Sequence, residues 1–295
     1  ETGNPNRKGD LKMIKLVAAD MDGTLLKSDG HVSQKNAEAI RRLKEAGIEF
    51  LVCTGRSYQD AMAPLAEWNL RTPAVCLNGA GLYDDQGRLI DKNPLSLGQV
   101  KEILNACKDQ KLFVEFVASQ GNYTIMSKEE LRSSLQAYPQ LPAARIPFEM
   151  LCSRYHFVTL GELFEENLEF YKISLIHPSK QVLELIKTRL AKADDLSIAS
   201  SSPYDLELTH GMAQKGRALA AYAAMKGIRL DEAMAVGDSE NDHSMLSMKL
   251  KYTLAMENAM DSTKRTARCQ TRSNDEDGVS YAIETLIFSP RARAC

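Results

Sequence analysis

Apolar positions in this chain gather in short runs that break off at polar, glycine-bearing corners, and that punctuation predicts most of the elements. Leu16-Val17-Ala18-Ala19 is a run of small or branched apolar residues, the pattern of a strand buried on both faces. Ser33 then offers an N-cap, Ala37, Ile40 and Leu43 recur at helical spacing, and Gly47 supplies a left-handed stop. A second apolar run, Ile48 to Cys53, breaks into Thr54-Gly55-Arg56-Ser57, with a helix expected to start near Ser57. A third, Ala74 to Leu77, ends in Asn78-Gly79-Ala80, and Gly81 to Ile90 reads as a hairpin turning at Asp85 to Gly87.

Beyond that point the pattern changes. Ser96 to Cys107 is an amphipathic helix, and Phe113 to Val117 and Tyr123 to Met126 read as strands around a Gly121-Asn122 turn. Gln136 to Phe148 carries three prolines and reads as loop. Tyr171 to Ile176 is a strand, Ser179 to Ala191 a helix, and Ser197 to Ser200 and Tyr204 to Leu208 two further strands. The opening style then resumes: Lys215-Gly216-Arg217 starts an alanine-rich helix ending near Gly227, and Ala233-Met234-Ala235-Val236 is a buried strand delivering Gly237-Asp238-Ser239-Glu240-Asn241-Asp242. The expected architecture is α/β: a parallel-sheet core over 13–93 and 197–288, with an α+β insert over 94–196. Residues 1–12 are polar, contain Gly and Pro, and read as a disordered leader.

Composition narrows the partners. A net charge of -2 gives no basic footprint for nucleic acid. No apolar run approaches the ~20 residues that span a bilayer, so no membrane association is expected. The six cysteines are scattered without C-x-x-C spacing, which favours reduced, core-filling thiols in a cytoplasmic protein. The expected partner is a small molecule, and the chain a monomer or homodimer.

Candidate chemistry sits at the strand ends, where the crevice of an open α/β sheet begins. Asp20 and Asp22 would repel each other there unless a cation or a shared proton compensates, so they imply a metal, an acid/base pair, or both. Read alone, D-x-D-G is equally the sequence of an exposed Asx turn. Thr54 and Gly55 could form a small anion site, or an ordinary helix cap followed by a surface arginine. Asp238, Asn241 and Asp242 fit metal ligation and anion positioning, or capping of the helix they precede. Lys215 taken by itself is a lysine at a helix start.

Their order gives these residues a common meaning. Asp20-Met21-Asp22-Gly23-Thr24-Leu25, Thr54-Gly55-Arg56, Lys215-Gly216 and Gly237-Asp238-Ser239-Glu240-Asn241-Asp242 resemble the four motifs of the haloacid dehalogenase superfamily, and more narrowly its Cof-type phosphatases of subclass IIB. Asn78-Gly79-Ala80, Ala255-Met256-Glu257-Asn258-Ala259 and Asn274-Asp275-Glu276-Asp277-Gly278-Val279 are further matches to that group, over about residues 13 to 288. The approach to Lys215 is one residue longer than usual, and Glu257 stands where a glycine is common.

The resemblance implies a Rossmann-like, doubly wound core with an inserted cap that sets substrate specificity. It implies Mg²⁺ held by Asp20, the backbone of Asp22, Asp238 and nearby Asp242, with Asp20 as nucleophile. Asp22 would be the general acid/base, its pKa raised by acidic neighbours. Thr54, Gly55, Lys215 and Asn241 would hold the phosphoryl group, with Asn78, Gly79 and Arg56 as substrate contacts. Arg154, Tyr155 and His156 are candidate cap contacts. The implied activity is Mg²⁺-dependent hydrolysis of small phosphorylated metabolites, sugar phosphates first and pyridoxal phosphate or flavin mononucleotide next. A phosphomannomutase-like phosphotransferase and a non-catalytic phosphometabolite-binding protein are the alternatives.

Overall fold

The computed structural model describes residues 13–200 and 202–289, so the leader expected over 1–12 lies outside the described residues. In chain order the strands are β1 (Leu16–Ala19), β2 (Glu49–Cys53), β3 (Ala74–Cys76), β4 (Gly81–Tyr83) and β5 (Leu89–Lys92). Next come β6 (Phe113–Ala118), β7 (Gly121–Thr124), β8 (Tyr155–Phe157), β9 (Phe170–Ile176), β10 (Leu196–Ala199) and β11 (Asp205–His210). The last are β12 (Ala233–Gly237), β13 (Tyr252–Ala255) and β14 (Cys269–Gln270). They form an eight-stranded sheet in the order β14-β13-β12-β1-β2-β3-β4-β5 and a six-stranded sheet in the order β10-β11-β9-β6-β7-β8.

From β14 to β3 the larger sheet is parallel, and β4 and β5 add an antiparallel edge. The winding reverses between β1 and β12: β2 and β3 lie to one side, β13 and β14 to the other. That is the switch point at which open α/β sheets bind ligands. Alternation explains why Leu16–Ala19 is apolar throughout. Val17 and Ala19 pack on the layer holding Ala37, Ile40 and Leu43, while Leu16 and Ala18 pack on the layer holding Leu219, Tyr222 and Ala223. The expected helix starts hold, since Ser33 and Ser57 accept from the N–H groups of Asn36 and Asp60.

The smaller sheet is antiparallel apart from the β7–β8 pair. One face packs on the helices Leu97–Cys107 and Lys180–Leu190 through residues such as Val100, Ile103, Leu183 and Ile186. The boundary expected at residue 197 is corrected here, because it falls inside β10. β10 pairs with β11 and β11 with β9, so both strands belong to the smaller unit, which runs on to His210. Hydrogen-bonding partners decide sheet membership, and a short apolar run does not announce which sheet will accept it.

Three short helices in the insert, Lys128–Ala137, Phe148–Cys152 and Leu160–Glu165, lie mostly in stretches where no element is expected, the first two touching the ends of the expected loop over 136–148. Two begin with capping boxes, Ser127 with Glu130 and Thr159 with Glu162, so S-x-x-E and T-x-x-E were the available signal. The turn between β6 and β7 lies at Ser119-Gln120 rather than at Gly121-Asn122. Cys53, Cys76, Cys107 and Cys152 are free and buried, as core-filling thiols should be. Cys269, half-exposed on edge strand β14, departs from that expectation: it is disulfide-bonded. Among the described residues no helix is long and apolar enough to cross a membrane.

Asn36 ties the layers to the loop after β1. Fully buried, it donates to the Leu25 carbonyl at 2.9 Å and accepts from the Ser280 N–H at 3.0 Å. Asn36→Leu strands both backbone groups away from water, at about 1–3 kcal/mol each. Urea unfolding should show the midpoint falling accordingly.

Candidate functional site

The β1–β12 register sets the site. Ala19 lies opposite Val236, so Asp20 and Asp238 leave adjacent strands at neighbouring positions. On the other side Ala19 lies opposite Val52, which brings the β2 end, and with it Thr54, to the same edge. After Asp20 the chain doubles back: the N–H groups of Leu25 and Leu26 donate to the carbonyls of Asp20 and Met21. Gly23 has φ +74° in this loop, and a Cβ there would stand 2.5 Å from Asp238 Oδ2. Both the backbone conformation and the close approach require glycine.

Lys215 is the centre of the arrangement. Its ammonium, with no exposure, donates to Asp20 Oδ1 and to Asp242 Oδ1, each at 2.7 Å. Asp242 spends its second oxygen on the N–H groups of Asp238 and Ser239, at 2.9 and 3.1 Å. The Thr24 hydroxyl donates to Asp238 Oδ1 at 2.8 Å. Ligand atoms of Asp20, Asp238 and Asp242 all lie within 4.8 Å of one another.

Three carboxylates this close, facing one buried cation, leave negative charge uncompensated. Burial, then Asp242, pushes the Asp20 pKa well above the usual carboxylate range despite Lys215. Burial, then Asp242, raises Asp238 to about 6. Burial by itself would lower the Lys215 pKa, but Asp20 and Asp242 outweigh it and hold the ammonium above its ordinary value. A hard, oxygen-ligated divalent cation fits this donor set and would relieve the repulsion. Asp20 and Asp238 are the better placed ligands, because both Asp242 oxygens already accept hydrogen bonds.

Asp22 differs from expectation. Its carboxylate is 61% exposed and is gripped by Arg56, with Nε to Oδ2 at 2.8 Å and Nη2 to Oδ1 at 2.5 Å. Its immediate charged partner is a guanidinium and not other acids, because its side chain points out of the strand end that Asp20 points into. Thr54 is buried and accepts from the Arg56 N–H at 3.1 Å.

Asn78 and Gly79, expected to contact substrate, are buried in the frame of the site, and Asn78 lines a cavity there with Lys215 and Asn241. Leu77, Asn78 and Gly79 have φ of 52°, 59° and 108°, a strained run that is rare for Leu and aims the Asn78 amide. That amide donates to Glu207 at 2.7 Å and accepts from Asn241 Nδ2 at 3.1 Å. A Cβ on Gly79 would meet the Gln214 backbone at 2.6 Å, so glycine lets this loop pack under the start of the Lys215 helix. His156 stacks on Tyr123 across the β7–β8 pair, on the face opposite Tyr155, while the Tyr155 hydroxyl donates to Glu115 at 3.0 Å. Arg154 is exposed.

The later motifs fasten the loop after β1. Asn258 donates to the Gly23 carbonyl at 2.8 Å, and Asn274 to the Leu26 carbonyl at 2.9 Å. Sequence reasoning missed Lys172 and Glu207, which reach this edge from the smaller sheet; Lys172 stands between Tyr171 and Ile173, Glu207 falls on the polar side of the alternating Asp205-Leu206-Glu207-Leu208-Thr209 stretch, and no motif marks either.

A switch-point carboxylate cluster closed by a buried lysine defines a class. The chain belongs to the haloacid dehalogenase-like hydrolases, whose family pattern it matches over residues 17–283. It is 34% identical over 286 residues to phosphatase YwpJ of Bacillus subtilis (strain 168), covering 93% of this chain and 100% of that protein. To the same organism's 5-amino-6-(5-phospho-D-ribitylamino)uracil phosphatase YwtE it is 29% identical over 287 residues, covering 93% and 98%. Among solved structures, a haloacid dehalogenase-like hydrolase from B. subtilis superposes with a TM-score of 0.80 at 32% identity, covering 92% of this chain and 100% of that one.

The raised carboxyls give a signed prediction. Folded Asp238 holds its proton to about 6, above the unfolded value, so stability falls as pH rises from about 4 to about 6, and Asp20 acts in the same direction. A divalent cation binds the ionised cluster and offsets that loss. Thermal melting with Mg²⁺ or EDTA should therefore show a larger Mg²⁺ stabilisation near about pH 7.5 than near about pH 5.

Proposed function

We propose that this enzyme is a Mg²⁺-dependent phosphatase acting on small phosphorylated metabolites through an aspartyl-phosphate intermediate on Asp20. The observation that carries the reading is the buried Lys215 ammonium between Asp20 and Asp242, with Asp238 within 4.8 Å. Asp20 and Asp238 would hold Mg²⁺, with the Asp22 backbone and Asp242 beside them, and the ion would offset the charge of the phosphate dianion.

Lys215 holds the Asp20 carboxylate through Oδ1, and that carboxylate would be the attacking group. Attack on phosphorus forms the acyl-phosphate bond and breaks the ester P–O bond, and the leaving oxygen takes a proton from Asp22. Water then attacks the same phosphorus and gives its proton to Asp22, which releases inorganic phosphate and restores Asp20. For this Asp22 must be freed from Arg56, and an incoming phosphate dianion competes directly for that guanidinium. The Thr54 hydroxyl, which accepts from Arg56 N–H, retains its proton for a phosphoryl oxygen. Asn241 has a second N–H beyond the one given to Asn78.

The smaller unit, over about 94–210, is read as a cap whose inner face excludes water and contacts the leaving group. Sugar phosphates come first as substrates, then phosphorylated cofactors such as pyridoxal phosphate or flavin mononucleotide. The name of YwtE, a phosphorylated polyol chain on a heterocycle, supports that span.

Inorganic phosphate release from a panel of phosphorylated metabolites, with Mg²⁺ or EDTA, tests the reading: turnover should require Mg²⁺. Asp20→Asn should lower kcat by about 10³-fold or more with circular dichroism unchanged. Turnover only when a sugar bisphosphate is added would assign a mutase, and binding without turnover a recognition protein.

A further inference from the structure

Two side chains of opposite charge lie buried between the sheets, away from the carboxylate cluster. Lys172 on β9 and Glu207 on β11 pair at 2.7 Å, each under one-tenth exposed. Burial alone would discharge both, but each holds the other ionised: the Lys172 pKa stays above and the Glu207 pKa below its ordinary value. A register shift in the β6–β9 ladder near Phe170 turns Tyr171 into the core cluster of the larger sheet, and the next residue, Lys172, reaches the same side.

Both partners of the pair continue into the loops of the site. Lys172 also donates to the Gly55 carbonyl at 3.0 Å. That carbonyl shares a peptide unit with the Arg56 N–H that donates to Thr54 Oγ1, so Lys172 fixes the plane that orients the Thr54 hydroxyl. Glu207 Oε2 accepts from Asn78 Nδ2 at 2.7 Å. A carboxylate can only accept, so Asn78 must turn its oxygen to Asn241, and Asn241 its nitrogen to Asn78. The Asn241 oxygen then accepts from Ser239 Oγ at 2.7 Å, and Ser239 N–H donates to Asp242, which holds Lys215.

We infer that Lys172 and Glu207 are positioning residues: from the smaller sheet they set the hydrogen-bond polarity of the Thr54–Arg56 and Asn78–Asn241 groups, so that docking of that sheet and completion of the phosphoryl site are one event. This rests on the phosphatase reading for its catalytic consequence. The positional part stands without it. An apolar pair of similar volume could fill the space between the two units as well as the ion pair does, but it could not dictate which way two amides and a peptide plane face.

The test separates those roles. In Lys172→Met and Glu207→Gln, each leaving a buried partner unpaired, melting should fall. Backbone deuterium exchange, measured without substrate, should rise about tenfold or more over 54–57 and 77–80 while β1 and β12 stay protected. In Lys172→Met/Glu207→Met melting should recover towards the parent, yet loop exchange should stay fast and kcat about tenfold or more below the parent with KM little changed. A double variant that recovers melting, native loop exchange and native kcat together overturns the inference. If the double variant does not recover melting, Glu207→Gln decides, since exchange that rises uniformly or not at all also overturns it. Absence of turnover in the parent leaves the exchange result intact and counts only against the phosphatase reading.

Discussion

Everything at this site depends on one buried ammonium. Lys215 has no access to water, so its charge is tolerable only between Asp20 and Asp242, and those carboxylates in turn are tolerable only around it. The mutual requirement ties three distant parts of the chain together: the end of β1, the start of the Lys215 helix and the turn after β12. Asp238 is then the uncompensated member, raised to about 6, and the excess negative charge is of the kind a bound cation would offset. Stability and, on the proposed mechanism, chemistry therefore draw on the same residues.

Much of this was legible in the sequence for specific reasons. Buried parallel strands such as Leu16–Ala19 and Ala233–Gly237 are apolar on both faces, and their carboxylate ends are conspicuous against that background. Asp20, Lys215 and Asp238 could be brought together because the order of their motifs matched a known pattern. The side-chain environment of Asp22 was not legible, since nothing in D-x-D says that the second acid turns outward to Arg56. The boundary at β10 was missed because strand pairing is a long-range property. Lys172 and Glu207 were missed because a charge within a strand, whether single as in Phe170–Ile176 or on the polar side of an alternating stretch as in Asp205–His210, reads as solvent-facing, whereas each here faces the other across β9 and β11.

Polar groups pin the loop after β1 at the edge of the larger sheet, beside the apolar packing of Met21, Leu25 and Leu26. Asn36, Asn258 and Asn274 each donate to a carbonyl between Gly23 and Leu26, so the loop carrying the first motif is held by three amides from three separate segments. Such a loop keeps one shape because each carbonyl is bonded, and a carbonyl left without its donor would carry the full cost of desolvation. The positive φ angles of Leu77, Asn78 and Gly79 belong to the same economy, a strained backbone maintained by the bonds it makes possible.

The position of β1 has a consequence for how the chain acquires this structure. Its two neighbours are β2, which follows closely, and β12, where Leu16 meets Ala233 after the whole smaller unit has intervened. During synthesis the hydrophobic edge of β1 waits without its second neighbour until Ala233–Gly237 has emerged, more than two hundred residues later. Topologies so rich in remote pairing fold slowly and expose sticky intermediates. An early-finished smaller unit, closed by its own antiparallel ladder, shortens the effective span of that wait, so the excursion that separates β1 from β12 in sequence also serves as the folded bridge that brings them together.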